Sequence, residues 1–175
     1  MSKEIYKLDL KRYAIQGKSH ATRYLYWLRL NQQTKCRFME LLSKAILVYY
    51  RTKYGLEITN GKNIGPGLYL RHAWNITINP ASIIGSNCNI HRGALIGQTN
   101  RGFQVGTPTI GNEVWIGINA AIVGNITIGN DVFIAPNSYV NVDVPSHSIV
   151  FGNPCIIKHR DHATGMYINH KCPIE

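Results

Sequence analysis

The sequence predicts a mainly β fold in which short strands wind into a parallel β-helix behind a short N-terminal α-helical region. Three observations carry this. From Ile58 onward an aliphatic residue returns every six positions. Glycine or a small polar residue often follows it, and a small residue often sits four positions on. Before residue 57 the apolar spacing is three and four instead, which is helical. The expected organisation is a helical region at 1–56, a β-helix at 57–157 and a tail at 158–175.

The helical region comes first in the chain. Ser19 or Thr22 is a candidate cap for a helix carrying Tyr24, Trp27, Leu28 and Leu30. Phe38, Leu41, Leu42, Ala45, Ile46 and Tyr49 mark a second, stronger helix that Gly55 stops. Packing of these helices on the main domain is the expected arrangement. Residues 1–55 hold 12 Lys/Arg against 3 Asp/Glu, so most of the net charge of +10 lies there. Such a basic excess suits solvated helix faces, an anionic membrane surface, a nucleic acid or an acidic substrate. No nucleic-acid-binding motif accompanies it. The N-terminus lacks the apolar stretch of a signal peptide, no run of 18 apolar residues exists, and the four cysteines show no CxxC spacing. A cytoplasmic protein is expected, with the inner membrane surface as a second location for the basic helices.

The repeat runs through Ile58, Ile64, Leu70 and Ile76. After a two-residue slip it resumes at Ile78, Ile84, Ile90 and Ile96, and after a longer break it runs from Ile110 to Val140. Neither a helix at 3.6 nor strand alternation at two gives a period of six. Each hexad is therefore one short strand and one turn, with the aliphatic side chain stacked inward on its equivalent one coil away. Gly, Asn and Asp supply the turns. Cys88 falls in the small inward slot and is expected to fill core. The break, Gln98–Thr109, allows either one irregular hexad or one extruded loop.

Residues 57–157 resemble the hexapeptide-repeat acyltransferases, in particular the serine acetyltransferase branch. VPSHSIVFGNP (144–154) resembles the segment that closes the β-helix in that family. The resemblance implies a left-handed β-helix, a homotrimer and acetyl-CoA bound in the groove between subunits. It also implies an acyl transfer that needs a base for the acceptor hydroxyl and donors for the thioester oxyanion. The family's base lies in a stretch reading DHATGI. Here that position reads RHAWNI, Arg71 to Ile76, and makes His72 the base. The family's orienting acid, fifteen residues earlier, falls on Glu57. A literal Asp-His-Ala-Thr-Gly at 161–165 lies outside the repeat, which makes His162 a decoy. His159, His162, His170 and Cys172 carry metal-ligand residue types, but a polar, solvated tail is expected there and no metal is expected anywhere.

His91 stacks one coil above the hexad of His72 and is a candidate substrate contact. By resemblance, Gly97 and the break's backbone are donors, Arg101 meets phosphate or substrate, and Gly117, Ile118 and Ala120 line the coenzyme. Two departures touch the acceptor. Arg71 replaces the family's acid beside the base, and Gly106 and Thr107 replace an Arg-His pair. Both argue against L-serine, leaving Arg71 and Thr107 as contacts for another acceptor. The expected function is acetyl transfer to a sugar hydroxyl in capsule or exopolysaccharide assembly, with Arg71 suited to an acidic glycan. Serine O-acetyltransferase is the alternative, and a nucleic-acid-binding module or a non-catalytic trimeric scaffold stands further off.

Overall fold

A computed structural model describes residues 2–14, 17, 19–59 and 61–174, with Ser2 as backbone only. Three helices lead: α1 (Ser2–Lys11), α2 (His20–Gln33) and α3 (Arg37–Tyr54). The strands that wind the coil are β1 (Leu56–Ile58), β2 (Tyr69–Arg71), β3 (Ile76–Ile78), β4 (Ile83–Ile84), β5 (Asn89–His91), β6 (Leu95–Gly97) and β7 (Thr109–Ile110). They continue with β8 (Trp115–Ile116), β9 (Ala121–Val123), β10 (Thr127–Ile128), β11 (Val132–Ile134), β12 (Tyr139–Val140), β13 (Ser148–Phe151) and β14 (Ile156–His159).

The strands stack in three sheets, ordered β1-β3-β6-β9-β12, β4-β7-β10 and β2-β5-β8-β11-β13-β14. Every pairing is parallel except the last, where β14 turns back on β13. The period of six becomes three inward columns, one per face. Ile58, Ile78, Ile96, Ile122 and Val140 form the first. Ile64, Ile84, Ile110, Ile128 and Val144 form the second. Leu70, Ile90, Ile116, Ile134 and Val150 form the third. All fifteen are buried, and each contributes on the order of 1.5–3 kcal/mol. The small slots Ser82, Cys88, Ala94, Ala120 and Ser138 are buried as expected, and burial pushes the Cys88 thiol up to about 12. Corners of the coil fall to residues in the left-handed region, among them Asn75, Asn119 and Asn137 along one edge.

The first coil would leave an open end, and the helices close it. Tyr24 OH donates to the carbonyl of Ile58 and accepts its N–H. Tyr13 OH does the same for Leu70. Between them, Arg29 donates to the carbonyls of Ile64 and Gly65 while bound to buried Asp9, which accepts the N–H of Leu68. One polar side chain or pair thus takes the place of the missing coil on each face.

Ser19 caps α2 in a reciprocal box with Thr22, and Gly55 ends α3 in the left-handed conformation. Helix α1 had no distinct signal in the sequence. The face of α3 differs from expectation. Phe38, Leu41, Leu42 and Tyr49 are exposed, whereas Ser43, Tyr50 and the partly buried Ile46, Leu47 and Tyr54 face the protein. Aromatic stacking of Tyr50 on Tyr24 and Tyr54 fixes that rotation. No described helix is long and apolar enough to cross a membrane.

The tail also differs from expectation. Ala163, Thr164, Ile168 and Cys172 are buried against the third face. Asp131 accepts the N–H groups of Ala163 and Thr164, and Asn87 exchanges hydrogen bonds with the backbone of Cys172. Residues 161–165 are therefore a turn anchored on the β-helix. The break at 98–109 is an extruded loop, pinched at its base by two reciprocal backbone bonds between Thr99 and Gly106.

Candidate active site

The two-residue slip in the repeat has a location. Arg92 donates its N–H to the carbonyl of Arg71, and the next residue, Gly93, donates to Trp74. Two residues of the first coil, His72 and Ala73, therefore bulge from a corner that every later coil crosses without them. His72 takes φ 50°, in the left-handed region, with its side chain exposed. Ala73 is buried, and its carbonyl lies 2.9 Å from His20 Nε2. His20 stacks on Tyr54 with ring centroids 4.6 Å apart, and Tyr54 meets Trp74 edge-on. The bulge is thus held from below by the helical region. His20, Tyr54 and Trp74 were not singled out from sequence, although Trp74 lies two residues from His72.

An open cleft of about 430 Å³ runs along this edge, lined by Trp74, Asn75, Arg92, Gly93 and Asn119. Arg71 precedes His72 in the chain, and Arg92 lines the cleft. His91 lies directly opposite Arg71 in the β2–β5 register. It is buried with its ring 4.4 Å from that of Trp115, and its Nε2 finds no partner among the described residues. Burial, reinforced by the charges of Arg71 and His72, lowers its pKa to about 4, so it is neutral at pH 7. His91 is therefore a packed ring beside the corner.

Glu57 lies on β1 opposite Thr77. Among the described residues no hydrogen bond joins it to His72; its ionic neighbour is Arg51 of α3, at 3.9 Å. Gly117, Ile118 and Ala120 occupy the His72 edge two coils on, where Asn119 donates its N–H to Arg92. The N–H of Gly117 is committed to Ile134 and that of Ala120 to Gly117. The Gly117 amide joins neighbouring coils, the Ala120 amide closes a turn within its own coil, and Ile118 is half-buried. Gly97, Arg101 and Thr107 lie elsewhere. Gly97 ends β6, Arg101 is exposed on the loop, and Thr107 sits at the loop's base. Within one chain they are separated from His72 by the width of the first face, about 10 Å for three strand residues.

His162 is distant in another sense. It lines a small cavity with Phe133 and Ile149, which belong to strands three and four coils beyond β2, roughly 14 Å or more along the axis. Among the described residues no group of three metal-ligating side chains converges, the histidines of the tail included.

The family described as bacterial transferase hexapeptide (six repeats) matches residues 107–141. A serine acetyltransferase of Staphylococcus aureus (strain Mu50) is 35% identical over 130 residues, covering 74% of this chain and 61% of its own. The solved serine acetyltransferase of Neisseria gonorrhoeae superposes with a TM-score of 0.76 at 25% identity, over 91% of this chain and 66% of that one. A serine acetyltransferase solved in complex with CoA gives a TM-score of 0.72 at 22% identity, over 90% and 69%. The chain spans 36–61% of the length of the curated relatives it matches.

Proposed function

This chain belongs among the hexapeptide-repeat transferases, and from that premise we propose that it is an acetyl-CoA-dependent O-acetyltransferase with His72 as general base. The observation that carries the reading is the His72–Ala73 bulge, which presents an exposed imidazole beside an open cleft on an otherwise regular edge. In the proposed reaction His72 takes the proton of the acceptor hydroxyl as its oxygen attacks the thioester carbonyl. The tetrahedral intermediate collapses, the C–S bond breaks, and the imidazolium returns the proton to the CoA thiolate. Glu57 orients the ring once it turns from Arg51. Acetyl-CoA is proposed as donor because a structural neighbour is solved with CoA.

We propose that the protein is a homotrimer, and the placement of two site elements supports this. The loop carrying Arg101 and Thr107 and the His72 corner sit on opposite edges of one face. Threefold packing brings the loop of one copy to the corner of the next, completing the site between subunits.

L-serine is the first acceptor to consider, since the relatives are named for it. One observation favours a second reading. Arg71 and Arg92 border the corner that carries His72, and the carboxylate proposed to orient it, Glu57, is shared with Arg51. That environment repels an ammonium group and favours an acidic sugar hydroxyl. Thiol release from acetyl-CoA, measured with L-serine and with neutral and acidic sugars, separates the two. Serine-dependent release supports the first, and release with an acidic sugar alone supports the second. Failure of the protein to bind acetyl-CoA in equilibrium dialysis would overturn both.

A further inference from the structure

We propose that the cleft between the end of α1, the outer side of the third face and the C-terminal tail is a binding site for a phosphate-type oxyanion. The inference goes beyond acetyl transfer and stands whether or not that reading holds. The cleft has a volume of about 220 Å³ and is lined by Arg12, Tyr69, Arg71, Asn89, Tyr167, Asn169 and His170. Small polar ligands fit such a space, which is below that of drug-sized pockets.

Arg12 is the anchor. Only 6% of it is exposed, yet its Nε and Nη1 have no hydrogen-bond partner among the described residues. Its Nη2 donates to Asn89 Oδ1, and its guanidinium sits 5.9 Å from the centre of the Tyr69 ring. Burial pulls its pKa down, and the groups acting against that are the thiols and phenols of Cys172, Cys88, Tyr69 and Tyr13, not a carboxylate. Asp9, one helical turn earlier, is turned away into Arg29 and the N–H of Leu68. A buried guanidinium with two idle donors is costly without an anion, and its planar fork matches an oxyanion. Arg71 and His170 bring further donors to the same wall. The walls are fixed in advance: Asn89 Nδ2 donates to the carbonyl of Tyr167, and Asn87 holds Cys172. A tail of ordinary solvated residues would give no such cradle.

The test is calorimetric titration of the full chain in chloride buffer of constant ionic strength with inorganic phosphate, glucose 6-phosphate and glucose. Saturable binding of phosphate or of glucose 6-phosphate, with none of glucose, is expected. Tighter binding of the sugar phosphate by tenfold or more identifies a phosphate ester as the occupant; equal binding identifies the free ion. Arg12→Gln should abolish the binding, and the exposed Arg71→Gln should weaken it at least tenfold. Should Arg12→Gln fail to fold, Arg71→Gln and His170→Asn carry the test alone. No saturable binding by wild type, or binding unchanged in Arg71→Gln and His170→Asn, would overturn the proposal.

Discussion

Arg51 and Glu57 face each other where α3 meets the first coil, with 3.9 Å between Nη1 and Oε1. The carboxylate that would orient His72 is thus held by the helical region instead. Both side chains are about half exposed, so the pair adds under about 1 kcal/mol to stability. Arg51→Gln should leave the melting temperature unchanged and leave kcat equal or higher. Glu57→Gln should lower kcat by on the order of tenfold or more with little change in KM, as expected of a group that orients a base. Unaltered kcat in Glu57→Gln would make it a partner of α3 alone.

His91 should set an acid limit on stability. Its folded pKa, about 4, lies below the ordinary value near 6.5 because burial, then Arg71, then His72 disfavour the imidazolium. The unfolded chain takes up a proton between pH 6.5 and 4 that the folded chain refuses, so stability falls as pH drops through that window. His91→Phe keeps the stack on Trp115 and removes the titration. Thermal melts from pH 7 to 4 should show a shallower decline in the variant; an identical decline would assign the limit to another group.

Gly117 and Gly97 should respond oppositely to alanine. A Cβ at Gly117 would sit 2.5 Å from the backbone nitrogen of Pro136 and 2.8 Å from Ala135 and Ile134. Backbone of the next coil cannot yield, so Gly117→Ala should cost about 1–3 kcal/mol. A Cβ at Gly97 meets nothing closer than 3.5 Å. Gly97→Ala should fold normally and, if its backbone meets the coenzyme, raise KM for acetyl-CoA. Denaturant unfolding with steady-state kinetics distinguishes the two positions.

Asp131 ties the tail to the β-helix. Burial would raise its pKa, but hydrogen bonds from Thr164, His147 and the N–H of Ala163 bring it below the usual carboxylate value. Asp131→Ala should therefore release residues 160–174 and open the cleft beneath Tyr167. Limited proteolysis should cut the variant in this stretch well before wild type; equal resistance would show that Asn87 and Cys172 suffice.

The β-helix was legible because its period is a local property. Thirteen of the fifteen inward residues lie on the six-residue spacing that ends at Val140, whereas Val144 and Val150 fall beyond it, and the two-residue slip in that spacing is the bulge that carries His72. Long-range contacts left no such trace. The exposed side of α3 follows from the stacking of Tyr50 between Tyr24 and Tyr54, which apolar periodicity does not rank. The turn at 161–165 looks like a catalytic motif until Asp131, some thirty residues earlier, is seen to cap it. Arg12 reads as one more basic residue of an N-terminal third rich in them, and its burial depends on a tail 160 residues away. The loop at 98–109 had two allowed counts, and the Thr99–Gly106 pinch selects one.

The central claim is that His72 is the base of an acetyl transfer, and one comparison tests it most directly. Asn tolerates the left-handed φ that His72 adopts, so His72→Asn removes the imidazole without straining the corner. Thiol release from acetyl-CoA, with the acceptor that supports wild-type turnover, should fall by about 10²–10⁴ in the variant while its melting temperature stays the same. Turnover within a few-fold of wild type would contradict the account and move the chemistry away from this corner.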